Sequence, residues 1–151
     1  MNPPANAGDD FEERLHRGAV LRLTLDKATL DDPDIDKRSK YVIVVSALLP
    51  DDDVWFIICT SKTGHFDKNP KFANDILRWA PGEYPWCKSA VTVVNCTTVD
   101  KLPTAKLKER YANGQLAFAG DLRPAHLAKI DAMMRVSIFL SPEDKRWVVP
   151  W

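Results

Sequence analysis

Two neighbouring stretches decide how this chain folds: Lys37-Arg-Ser-Lys-Tyr-Val-Ile-Val-Val-Ser46 and Val54-Trp-Phe-Ile-Ile-Cys-Thr-Ser61. From Tyr41 and from Val54 onward they are almost unbroken runs of β-branched and aromatic side chains, the composition of strands covered on both faces. The intervening Pro50 and acidic residues 51–53 turn the chain, so the two runs read as a hairpin. Burial explains neither end. The first run is entered through three bases, Lys37, Arg38 and Lys40, and the second leaves on two hydroxyls, Thr60 and Ser61.

Working outward, residues 18–26 alternate Val20, Arg22 and Thr24 with Leu21, Leu23 and Leu25, the period of a half-buried strand. Residues 27–39 are rich in Asp and hold Pro33, which predicts a loop. After a polar loop at 61–70, which carries Gly64 and His65, Asn69 and Pro70 predict a short helix running to Trp79. Residues 89–99 read as one long strand and the basic segment 101–110 as one or two helical turns. Asp121 and Pro124 suit a first helical turn, and Leu127, Ile130 and Met134 then recur at helical spacing. Residues 138–140 and 148–149 are apolar enough to dock the tail. Residues 1–13 are read as a flexible leader and 14–151 as a single domain. The expected fold is mainly β with helices: a small antiparallel barrel capped by the C-terminal helix, with an open α+β sheet as its competitor.

Composition bounds the function. The 151 residues suit one domain, and 45% hydrophobic with 28% charged residues is enough for a packed core. Lys+Arg and Asp+Glu are both 21, so net charge says nothing about nucleic acid. The charge is nevertheless segregated: acids gather at 31–36 and 51–53, bases at 37–40, 62–71 and 101–110, which leaves room for a local positive patch. Cys59, Cys87 and Cys96 are odd in number and not closely paired, which points to reduced thiols and a cytoplasmic location. No run approaches membrane-spanning length, and the polar, acidic start does not read as a signal peptide.

Most motif readings fail. His16, His65, His126 and the cysteines never fall at zinc-ligand spacing, so no metal or other cofactor is expected. Ser61-Lys-Thr-Gly64 lacks the glycine and residue order of a phosphate loop. Cys59 sits inside an apolar strand and reads as a small core residue; Trp55, Trp79 and Trp86 read as core or interface anchors. The three bases and two hydroxyls of the hairpin remain. Taken alone they are best read as balancing residues 31–36 and as beginning a turn. The other reading brings the strand ends together, so that the bases hold a phosphate and the hydroxyls donate to its oxygens.

A set of ordered landmarks raises that second reading. Arg17-Gly18 precedes the first strand. Lys40 precedes a valine–isoleucine run ending in Ser46. Thr60-Ser61 ends the next strand, Thr98-Val-Asp-Lys101 follows a later one, and Gly120-Asp-Leu122 leads into Leu127-Ala-Lys-Ile-Asp-Ala132. In this order and spacing, over residues 17–136, the chain resembles the MazF/PemK family of toxin endoribonucleases. The resemblance implies an SH3-like barrel, a homodimer, metal-independent cleavage of single-stranded RNA to a 2′,3′-cyclic phosphate, and neutralisation by an acidic antitoxin protein. It places Lys40 where the family has an arginine acting on the scissile phosphate, and Thr60, with Ser61 beside it, at the hydroxyl donor. Arg38 is a second cation for the phosphate and His65, or Asp67, a candidate base. Arg17, Lys37, Lys62 and Lys68 are the candidate RNA-binding residues. Three departures stand out. Lysine lacks the bidentate fork of arginine. Tyr41 replaces a proline, and residues 91–96 carry no acid. The segment 62–88 is also long for the family. These departures keep open a rival function, a toxin-like barrel that binds a protein or nucleic acid without cleaving it.

Overall fold

The computed structural model describes residues 7–25, 38–46 and 53–150. The acidic segment 31–36, Lys37 and the turn at 50–52 lie outside these residues, as do residues 1–6 of the expected leader.

The hairpin forms as the two apolar runs predict. Strand β1 (Ala19–Leu25) pairs antiparallel with β2 (Arg38–Val44), and β2 pairs antiparallel with β3 (Asp53–Thr60). Strict alternation then divides the apolar residues between two cores. Val20, Ile43, Val45, Trp55, Ile57 and Cys59 face one side; Leu21, Leu23, Val42, Val44, Val54 and Phe56 face the other. Each side is roofed by helices, which is why neither run could carry polar residues. The first is covered by α4 (Pro124–Val136) through Ile130 and Met134, with Val148 at the end of α5 (Pro142–Val148). The second is covered by Phe11 of α1 (Ala7–Arg14) and Leu107 of α3 (Thr104–Ala112).

The remaining strands extend the sheet. They are β4 (Ile76–Trp79), β5 (Thr92–Asn95), β6 (Asp100–Pro103) and β7 (Leu116–Asp121). The order is β4-β5-β3-β2-β1-β7, with β6 also on β3, and every pairing is antiparallel. One edge of β3 is shared: β6 occupies its first half, from Asp53 to Phe56, and β5 its end, at Cys59 and Thr60.

The structure corrects four expectations. The segment 69–79 is not one helix: after the short helix α2 (Gly64–Lys68), a 3-10 turn at Pro70–Asp75 gives way to β4, because pairing with β5 captures Ile76–Trp79. The long strand expected at 89–99 forms only as β5, at Thr92–Asn95, and β6 begins beyond it at Asp100. The Asn95 side-chain oxygen accepts from the Thr97 amide at 2.9 Å and its hydroxyl at 2.6 Å, a local turn that ends the ladder. The leader ends earlier than residue 13, since α1 buries Phe11 completely. In the tail, Leu140, Val148 and Val149 are buried, but Ile138 is 86% exposed. Among the described residues no helix is long and apolar enough to cross a membrane.

Arg17-Gly18 is an architectural joint. Gly18 has φ of +92°, the left-handed region that favours glycine, and a Cβ there would press on Leu127 Cδ2 of α4 at 3.2 Å. The Arg17 guanidinium pairs with Asp131 of α4 and donates to the carbonyls of Val45 and Val148, each at 2.9 Å. One side chain thereby joins β1, the end of β2, α4 and α5.

Candidate functional site

The β2–β3 register builds the site. Tyr41 lies opposite Cys59, so one further step toward the strand ends sets Lys40 against Thr60. Lys40 Nζ donates to Thr60 Oγ1 at 3.2 Å, and the Lys62 amide donates to the same oxygen at 3.1 Å. A hydroxyl has two lone pairs and one hydrogen. With both lone pairs engaged, the Thr60 hydrogen is left to donate to a further acceptor.

These atoms open on a cleft of about 290 Å³. Ser39, Lys40 and Tyr41 form one wall, and Cys59, Thr60, Ser61 and Lys62 another. The third wall comes from the segment joining β4 to β5, which brings Trp86, Lys88 and Ser89, with Thr92 of β5 behind them. That segment is held by ring contacts: Trp86 stacks on Tyr41 at 4.9 Å and on Tyr84 at 5.6 Å. The result is three lysines and five serine or threonine hydroxyls beside a stacked aromatic pair. Such a set suits an anion with several oxygens. Cys59 touches the cleft but is not a nucleophile. Burial, reinforced by neighbouring Cys96 and Cys87, raises its thiol well above the usual range despite the nearby Lys40 charge.

Of the residues singled out in the sequence, Lys40, Thr60, Ser61 and Lys62 meet in this cleft. Others do not. His65 packs in α2 against Phe66 and Phe72, with ring centroids 5.3 and 5.1 Å away. Asp67 accepts from Thr63 and pairs with Arg78, and Lys68 is exposed on the last turn of the same helix. Arg17 is committed to Asp131. Lys37 and the Arg38 side chain lie outside the described residues. Lys88-Ser89 was missed, although a base beside a hydroxyl is the same signal that marked Lys40 and Thr60-Ser61.

A second polar cluster was also missed. Tyr84 Oη accepts from the Arg123 amide at 2.9 Å and lies 2.7 Å from His126 Nδ1. In the tautomer with its hydrogen on Nε2, 3.4 Å from Glu83, Nδ1 accepts the tyrosine proton. Glu83 itself pairs with Arg123. Desolvation and then the Arg123 charge lower the His126 pKa below its ordinary 6.5, against the opposing pull of Glu83. The fold thus prefers neutral His126. Stability should be full above 6.5 and fall as pH drops through the lowered value, because the unfolded chain takes the proton first. Urea midpoints compared at about pH 7.5 and about pH 5 should show a smaller acid loss in His126→Asn than in the parent. Equal losses in both proteins would remove His126 as the cause.

The chain matches no protein-family model and no curated protein.

Proposed function

We propose that the chain is a diverged MazF/PemK-like toxin whose Lys40–Thr60 cleft binds the phosphodiester of single-stranded RNA and cleaves it without a metal. The observation that carries this reading is the meeting of Lys40 Nζ and Thr60 Oγ1 at 3.2 Å in an open, cation-lined cleft. In the reaction the RNA 2′-oxygen attacks phosphorus, its proton passes to a base, the bond to the 5′-oxygen breaks, and that oxygen takes a proton. The product is a 2′,3′-cyclic phosphate. Lys40 would offset charge developing on the phosphate, and the Thr60 hydrogen would donate to a nonbridging oxygen. Lys62 and Lys88 suit the flanking phosphates. The sharing of one β3 edge by β5 and β6 is the kind of sheet bending an SH3-like barrel requires. Apolar surface at Val136, Ile138 and Trp147 supports a homodimer. An acidic antitoxin would be attracted by the same lysines, in the cytoplasm where such pairs act.

A specific observation favours a second reading. Among the described residues no carboxylate or imidazole lines the cleft, so its described walls supply no proton acceptor for cleavage. A barrel that binds nucleic acid or a protein without cutting would look the same. Incubation of the purified protein with single-stranded RNA in excess chelator separates the two. Fragments ending in a 2′,3′-cyclic phosphate are the expected result. RNA that is bound with a steep salt dependence but left whole would establish the binding module instead.

A further inference from the structure

A larger cleft, about 600 Å³, lies beyond the Trp86 wall of the first, and its lining is unusual. A cavity against the face of a strand touches alternate residues, because side chains alternate. This one touches Ile76, Leu77, Arg78, Trp79 and Ala80 in succession. It therefore runs along an edge of β4. That strand is the terminal member of the sheet path, paired only with β5 among the described residues. Phe66 and Ala73 give the groove an apolar side, and His126 and Lys129 of α4 form its opposite bank.

We propose that this groove is a docking site for an extended, acidic peptide segment that adds to β4 as a further strand. An unpaired strand edge is a template for another chain, and the backbone hydrogen bonds of the added strand give affinity without regard to sequence. The charges decide which peptide. Lys129 stands exposed at the groove, Lys68 and Lys71 lie on the short helix and turn that supply Phe66 and Ala73, and Arg78 borders it paired with Asp67. The neighbouring carboxylates are already engaged, Asp67 by Arg78 and Glu83 by Arg123. The field offered to a newcomer is cationic, and carboxylates alternating with small apolar residues match both the charge and the apolar bank. The four residues of β4 present about 13 Å of edge, room for a segment of similar length.

The test uses a labelled heptapeptide alternating glutamate with valine, and the same peptide N-methylated at alternate amides. Methylation keeps every charge and side chain but removes the hydrogens that strand addition needs. Fluorescence anisotropy should show saturable binding of the first peptide and binding more than about tenfold weaker for the second. Lys68→Glu with Lys129→Glu should weaken the first peptide to a similar degree while leaving the urea midpoint close to that of the parent, since both residues are exposed. Amide shifts on titration should centre on residues 76–79. Equal affinity for the two peptides, shifts centred on Lys40, Thr60 and Lys88, or no binding at about 1 mM would each overturn the proposal. None of these readings depends on RNA cleavage, so this site and the Lys40 cleft stand or fall separately.

Discussion

Replacing Arg17 with alanine is expected to cost about 3 kcal/mol of folding stability. The side chain is 21% exposed and its partner Asp131 15%, so the pair lies well inside the boundary where surface ion pairs contribute little. Removal leaves Asp131 charged against the first core without a counterion. It also strips a donor from the carbonyls of Val45 and Val148, which hold the end of β2 to the C-terminal helices. A paired charge that loses one partner is costly, whereas replacing both partners with apolar residues of similar size is often tolerated. Arg17→Met combined with Asp131→Leu should therefore recover a substantial part of what Arg17→Ala loses. Urea unfolding of the three variants measures this. A loss below about 1 kcal/mol for Arg17→Ala would mean the pair behaves as a surface contact and that the joint is held by packing alone.

That joint shows where the sequence was legible. The Arg17-Gly18 pair is visible as a landmark, but its role as a tie between distant elements is not, because Asp131 lies 114 residues away. The hairpin and the C-terminal helix were readable for a local reason: unbroken β-branched runs mark strands covered on both faces, and Leu127, Ile130 and Met134 recur at helical spacing. The failures share a cause as well. Ile76–Trp79 carries a helix-compatible pattern after Pro70, and only its pairing with the distant β5 makes it a strand. The strand β7 was passed over because its six residues mix Leu116 and Phe118 with Ala and Gly, and it forms only as the partner of β1. The cleft divides in the same way. Lys40 and Thr60 could be brought together by extending a hairpin register, a short-range inference. Trp86, Lys88 and Ser89 arrive on a connection whose path is fixed by rings stacking on Tyr41 and Tyr84, which no periodicity announces. His65 is separated from the cleft by position: it stays exposed on α2, in ring contact with Phe66 and Phe72, outside the residues that line the Lys40 cleft.

If the cleft cleaves RNA, Thr60→Val should lower kcat/KM by about 10²–10³-fold with little change in thermal midpoint. Valine keeps the shape and β-branching of threonine, so β3 loses no packing or strand propensity. What disappears is one oxygen. The Lys62 amide that donated to it is at an exposed position and can turn to water, so the fold bears little of the loss. Lys40 loses its anchor and the phosphate loses the Thr60 hydrogen, and both effects fall on the transition state, where charge on the nonbridging oxygens is greatest. Thr60→Ser keeps the oxygen and should retain most of the activity, which separates the hydroxyl from mere bulk. Lys40→Met keeps the aliphatic stem beside Tyr41 but removes the charge, and it should weaken both binding and cleavage, with the salt dependence of RNA affinity falling by about one phosphate contact. Should Thr60→Val cleave as well as the parent while Lys40→Met does not, the lysine acts without its hydroxyl partner. The 3.2 Å contact would then be a resting arrangement, with no part in the reaction.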